Sequence, residues 1–234
     1  MEDLYKPFMY NNIIFGTDIG KRESIHKLYS SISICNLCPG LNLMSNKDEH
    51  TICVHPRGNV DSKIMIIGQS NAFPQSQWDA EKGYHPNVPF LYGCGALLNK
   101  CLIESKLTRE DVWITNVVKA HPPGNRPSTK QEIKNCIHFL KDEINIIKPS
   151  IIITLGKDAF NVIIALYARD EYDNMQYCSD NLEKHYSDIM VDNFIFAPMY
   201  HPAYIMKLSV TREIDYIQSF KNIIESFNLI KFQE

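Results

Sequence analysis

With 234 residues, 44% of them hydrophobic and 22% charged, the chain has the make-up of an ordinary globular protein and the length to bury the core of one α/β domain. A formal net charge of −3 gives no global case for nucleic-acid binding, so any DNA-binding face has to be a local basic patch. Seven cysteines, an odd number in a chain of this size, argue against a disulfide scaffold and leave buried thiols or a metal site. No apolar run has the length to span a bilayer, and residues 1–6 show no basic segment leading into an apolar one. A cytoplasmic protein with no membrane partner is expected.

In chain order, residues 1–33 are expected to form a helical extension, with the domain core at about 34–229. Cys35 and Cys38 form a C-x-x-C, which is read as a redox pair, half a metal site or two buried thiols. Apolar runs at 63–67, 112–115, 151–155 and 194–198 read as strands. None alternates cleanly with polar residues, as expected of a sheet covered on both faces. Helical patterns occupy 95–105, 129–148, 156–167 and 211–227. Ser128 or Thr129 is the expected N-cap of the second, and Lys148-Pro149 its end. Strand and helix in alternation predict a three-layer α/β/α domain around a central four-stranded parallel sheet.

In such a sheet, ligands bind beyond the carboxyl ends of the strands. Those ends carry Gly68-Gln69-Ser70-Asn71, Asn116, Gly156 and His201. The first is either a solvated turn or the edge of a site. Pro89-Phe90 and the two glycines before the 95–105 helix suit either a close backbone approach or plain helix packing. Lys119, His121, Arg126 and Lys130 cluster around a proline-rich loop, which suits phosphate contact or an ordinary surface loop. His201 is fixed by Pro202 at a strand end, a position that favours function over a structural role. Cys136 sits on a predicted helix, where a core thiol is the default.

Taken in order, these segments resemble the uracil-DNA glycosylase superfamily, closest to its family 4 enzymes, which carry an iron–sulfur cluster. The resemblance runs from about Ile34 to Ile205. It rests on the C-x-x-C, Gly68-Gln69, Pro89-Phe90 with Gly93, Gly95, Leu97 and Leu98, Thr115 to Lys119 followed by Pro122 to Arg126, Leu155-Gly156, and His201-Pro202. It implies base flipping from double- or single-stranded DNA and hydrolysis of an N-glycosidic bond by a monomeric enzyme. It also implies roles. Phe90 would stack on the flipped base, Asn116 would read its Watson–Crick edge, and His201 would stabilise the departing base anion. Ser70 would add a polar contact to the base. Lys119, Arg126 and Lys207 would meet phosphates, and Leu208 would belong to a wedge that fills the hole in the stack.

Three departures from the family bear on chemistry. Gln69 replaces the family's glutamate, and Asn71-Ala72 replaces Pro-Gly, so Gln69 and Asn71 can place a water but cannot take its proton. A longer loop at 73–88 brings Trp78, Tyr84 and His85, as well as Asp79 and Glu81 as alternative carboxylates. Cys35, Cys38 and Cys136 fall on cluster-ligand positions, but Ala120 stands where a fourth cysteine belongs. Either His121 or Cys53 completes a [4Fe-4S] site, or a Cys₃His zinc site forms, or no metal is bound. The expected function is a DNA glycosylase acting on uracil or on a C5-modified, phage-type pyrimidine, with a role in anti-phage defence. The alternatives are ordinary uracil-excision repair, a catalytically inactive DNA-binding module, and a small-molecule hydrolase or transferase.

Overall fold

The computed structural model describes residues 14–41, 56–70, 90, 93–167, 190–191 and 194–231. Four parallel strands form the middle of the sheet: β3 (Ile64–Gly68), β4 (Trp113–Asn116), β5 (Ile151–Leu155) and β7 (Phe194–Met199). All of their residues are buried, which explains the continuous apolar runs. Among the described residues the sheet is wider than the four strands expected, with seven in the order β1-β2-β4-β3-β5-β7-β6. The additional strands are β1 (Ile14–Phe15), β2 (Arg57–Asn59) and β6 (Met190–Val191). At two or three residues each, they are too short to show a period in sequence. The sheet is also mixed, because β2 pairs with β4 and β6 with β7 antiparallel.

Alternate residues of each central strand face opposite helical layers. Met65, Ile67, Trp113, Ile152 and Phe196 pack with α1 (Ile19–Ser33), α3 (Lys130–Ile147) and α4 (Lys157–Tyr167). Ile64, Ile66, Ile114, Ile153 and Ile195 pack with α2 (Gly95–Glu104) and α6 (Val210–Lys231). The short α5 (Pro202–Ile205) lies between β7 and α6. No helix among the described residues is long and apolar enough to cross a membrane. Helix α3 opens with the expected capping box, Thr129 accepting from Glu132 and Glu132 from Thr129. It ends at Lys148 in the left-handed conformation just before Pro149.

One polar group interrupts the apolar face of α3. Glu143 lies on the same stripe as Cys136, Leu140 and Ile147 and is fully buried. Its carboxylate accepts from Tyr29 Oη at 2.8 Å, Trp113 Nε1 at 2.9 Å and Thr115 Oγ1 at 3.0 Å, and it pairs with Lys119 Nζ. Lys119 also donates to Thr115 Oγ1 at 2.8 Å. Helix α1, β4 and α3 are therefore joined through one carboxylate. Removing the negative charge leaves Lys119, 2% exposed, as an uncompensated buried cation. Glu143→Gln is expected to lower stability to denaturant by about 3–5 kcal/mol, whereas replacing Glu143 and Lys119 together by methionines should restore most of it. Equal loss in the single and double variants would show that the pair has no such coupling.

Candidate active site

The register of the sheet brings the candidate residues to one edge. Gly68 ends β3 opposite Asn116 at the end of β4, and Leu155 ends β5 opposite Met199 at the end of β7. Beyond β3 and β4 the chain stays zipped, with Val117 N donating to Gly68 O at 2.9 Å and Val118 N to Gln69 O at 2.8 Å. Gln69 and Asn116 are thus held side by side by backbone alone.

Asn116 is 2% exposed, and neither its amide nitrogen nor its oxygen has a hydrogen-bond partner among the described residues. The Gln69 side-chain nitrogen is likewise buried without a partner there. An unpaired buried amide costs about 1–3 kcal/mol, so two at one strand edge mark a place that water or a ligand completes. Gly68 makes the close approach of these groups possible. A Cβ on it would come within 2.5 Å of Asn116 Oδ1 and of the Phe90 ring. Phe90 therefore lies against the backbone at the end of β3, with its ring centroid 5.6 Å from that of His201 and a tilt of 32°.

His201 caps α5, and Ala203 N donates to its Nδ1 at 3.2 Å. With Nδ1 accepting, the neutral ring carries its proton on Nε2. Burial pushes its pKa down to about 4, so it is uncharged at neutral pH. The segment before it is anchored from α6 by Tyr216 Oη donating to Tyr200 O at 2.7 Å. Gly156, at φ +96°, lets the loop after β5 come close, since a Cβ there would lie 3.1 Å from that of His201. Gln69, Phe90, Asn116 and His201 are thus gathered at one edge, with Ser70 beside them and partly exposed. Asn71, the loop at 73–88 with Trp78, Tyr84 and His85, and the alternative carboxylates Asp79 and Glu81 lie outside the described residues.

The basic loop differs from its expectation. Lys119 is not available to phosphate, because it is buried against Glu143. Arg126 makes a two-pronged pair with Glu132, at 2.9 Å and 2.5 Å, and that carboxylate also accepts from Thr129 N at 2.7 Å. Its charge is already answered within the protein, while its side chain keeps 39% of its surface exposed. The signal for both lay in the acids: Glu143 on an apolar stripe and Glu132 in a capping box. After α5, Lys207 is exposed, and Tyr204, Met206, Leu208 and Val210 expose 45–74% of their surface. So many large apolar side chains on one exposed turn suit contact with another molecule.

Cys35, Cys38 and Cys136 line one cavity with Ile32, Leu41 and Phe139, and Ala120 stands on the remaining wall. Two N–H groups serve the sulfurs, since Asn135 Nδ2 donates to Cys38 Sγ at 3.3 Å and the Lys119 backbone bonds Cys136. Burial pushes the Cys136 thiol up to about 11. His121 does not complete the set. It is absent from the cavity wall, and its Nε2 is bonded to Asn125 Oδ1 at 2.8 Å within the proline-rich loop. Cys53 lies outside the described residues. No three His, Cys, Asp or Glu side chains among the described residues converge closely enough to hold a metal ion. A Cys₃His zinc site therefore does not fit the described residues, and Cys35, Cys38 and Cys136 share an apolar cavity without being close enough to ligate one metal ion together.

A family model described as the uracil DNA glycosylase superfamily matches residues 55–225. The chain is similar to the type-4 uracil-DNA glycosylase of Thermotoga maritima, with 35% identity over 144 residues, 61% of this chain and 68% of that one. It is 30% identical over 145 residues to the type-4 enzyme of Pyrobaculum aerophilum, 62% of this chain and 67% of that one. With the type-4 enzyme of Sulfurisphaera tokodaii it shares 29% over 182 residues, 77% and 75% of the two chains. The matched region runs from β2 into α6 and contains Gln69, Phe90, Asn116 and His201, so the chain belongs to the uracil DNA glycosylase superfamily.

Proposed function

We propose that the protein hydrolyses the N-glycosidic bond of a pyrimidine flipped out of DNA, and that its preferred base carries a substituent at C5. The observation that carries the first part is the pairing of an unsatisfied amide on Asn116 with a neutral Nε2–H donor on His201 at one sheet edge. A flipped base offers a Watson–Crick edge to the amide and a ring face to Phe90. As the bond breaks, negative charge grows on the base, and a fixed donor in a dry site stabilises it without reorganising. Gln69 stands where the family's glutamate stands, so it orients the attacking water but leaves the proton to solvent.

The second part rests on the same substitution. Without a carboxylate to activate water, bond breaking must run ahead of water attack. That favours bases that leave well. The buried Gln69 nitrogen adds a donor suited to an oxygen-bearing substituent. An enzyme of this specificity would act on phages whose DNA carries modified pyrimidines. Lys207, Leu208 and their neighbours would then form the DNA wedge, and Ser70 a polar contact to the base.

Asn116→Ala and His201→Ala are each expected to slow excision by about 10²-fold or more. Because Asn116 holds unpaired buried atoms, its alanine variant should be at least as stable to heat as the parent. A near-normal rate in either variant removes that residue from the mechanism.

His201 acts as a neutral donor, so single-turnover rate against pH should show no inflection near 6.5. Its ring should titrate by NMR at about 4. The folded pKa lies below the unfolded value, so its contribution to stability is complete above pH 6.5 and lost as pH falls toward 4. A midpoint near 6.5 would contradict the dry, neutral site.

The thiol cavity is proposed to hold an iron–sulfur cluster in which Cys35, Cys38 and Cys136 each bind a different iron, so that they need not converge on one ion, with no fourth ligand among the described residues. No step of the chemistry passes through it. Protein purified without oxygen or chelator should contain iron and sulfide and absorb broadly in the visible, and Cys136→Ala should lose both. Absence of iron from the parent protein would end this assignment.

Base preference is read from abasic-site formation on oligonucleotides carrying uracil, 5-hydroxymethyluracil or glucosylated 5-hydroxymethylcytosine. Faster excision of a C5-substituted base is expected. Robust uracil excision with none of the others would return the protein to uracil repair.

A further inference from the structure

Phe90 adopts φ +53°, a left-handed conformation that a bulky residue takes only under external restraint, at a cost of about 1–2 kcal/mol. Its surroundings supply that restraint from two sides. Behind the carbonyl stands Gly95, the first residue of α2, where a Cβ would lie 1.8 Å from Phe90 O. In front stands Arg109, whose Nη2 donates to the same oxygen. The guanidinium is fixed in turn, with Nε donating to Asn99 Oδ1 of α2 at 2.7 Å. Its backbone lies in a turn closed by Thr108 N and Oγ1 on Asp111 Oδ2, at 2.7 and 2.8 Å. That turn leads directly into β4 and so to Asn116.

We propose that Arg109 is a positioning residue that sets the base-stacking face of Phe90 by holding its carbonyl, and thereby links the Phe90 turn to the strand that carries Asn116. The guanidinium fork makes this possible. One arm grips α2 and another grips the turn before it, from a residue on the far side of α2. Burial pushes its pKa down to about 10, still charged at neutral pH, so it donates through both arms. Without Arg109 the strained backbone at Phe90 relaxes, and the ring leaves its place between the Gly68 backbone and His201. Arg109 reaches the Phe90 carbonyl and not its ring, so its effect on the stacking face is an indirect one, through the Phe90 backbone.

This inference rests on Phe90 stacking the flipped base, and the test separates the two ideas. Single-turnover excision is measured on an oligonucleotide bearing uracil or 5-hydroxymethyluracil, whichever the parent cleaves faster. The proteins are the parent, Arg109→Gln, Phe90→Ala and the double variant, with DNA affinity followed by fluorescence anisotropy. Arg109→Gln is expected to slow excision roughly 10- to 100-fold with DNA affinity nearly unchanged, but to cost less than about 2-fold more in the Phe90→Ala background. Arg109→Lys, with one donor group, should recover part of the rate. An equal loss from Arg109→Gln in both backgrounds would overturn the inference and leave Arg109 a general support of the fold. A normal rate in Phe90→Ala would overturn the stacking role itself. If Arg109→Gln does not fold, Asn99→Ala, which frees the guanidinium without removing it, replaces it in the same cycle. Its effect should again vanish without Phe90.

Discussion

A carboxylate that water does not reach has to find all its donors inside the protein, and Glu143 finds four, on Tyr29, Trp113, Thr115 and Lys119. These come from α1, from β4 and from the segment just after β4. The carboxylate therefore determines how α1 and α3 sit on that side of the sheet. It also fixes Thr115, whose neighbour Asn116 faces the site. The price of such a hub is desolvation, several kcal/mol per charge, and its return is geometric definition more than stability. A strand end held this way from one face of the sheet can present an unpaired amide at its tip without collapsing onto it. The polar network and the unsatisfied amide are adjacent in sequence because the first supports the second.

The central strands and the helices around them were legible in the sequence because burial on both faces leaves a plain mark. Ile151–Leu155 has the bounds its apolar run implied, and the other central strands shift by a residue. The edge strands left no mark, being shorter than any period. The site was legible where chemistry and topology coincide, at Asn116 and His201 on strand ends. It was misread at Lys119, which is buried against Glu143, and at His121, which is bonded to Asn125 within its own loop. A basic residue beside a proline-rich loop looks the same whether its partner is a phosphate or a carboxylate of its own chain. The deciding residues, Glu132 and Glu143, are ten or more positions distant from Lys119, and only the fold brings Glu143 to it. Arg109 gave no sign at all, because a cation after a helix stop has no pattern to betray a backbone contact nineteen residues earlier.

The glycines show why the site is rigid rather than merely roomy. At Gly68 and Gly95 the space a side chain would need is filled by Asn116, by the Phe90 ring and by the Phe90 carbonyl. The backbone at Gly68 lies against the Phe90 ring, that at Gly95 against the Phe90 backbone, and that at Gly156 against the His201 side chain. Packing of this density leaves few alternative rotamers for the groups that line it. The entropy of ordering them is spent when the chain folds, before any base arrives, and is not charged again to the transition state.

Charge at this edge follows from the same burial. Among the described residues that gather there, Gln69, Phe90, Asn116 and His201 are all uncharged at neutral pH, His201 because burial holds its pKa near 4. In a family member with a glutamate at the position of Gln69, that carboxylate would stabilise the cationic sugar and draw the proton from water. It would also repel the departing base anion. With an amide instead, the sugar loses its counter-charge and the anion loses a repulsion. The burden of lowering the barrier moves from the sugar to the base. On the proposed mechanism, stabilisation would then come from the Nε2–H of His201, from the edge contacts of Asn116, and from the base's own capacity to carry charge. The last of these differs among bases, while the first two are fixed by the protein. On the mechanism proposed above, such a site would discriminate by leaving-group ability more steeply than one that keeps the acid, and glutamine in place of glutamate would act as a filter on which base is released, over and above its cost in rate.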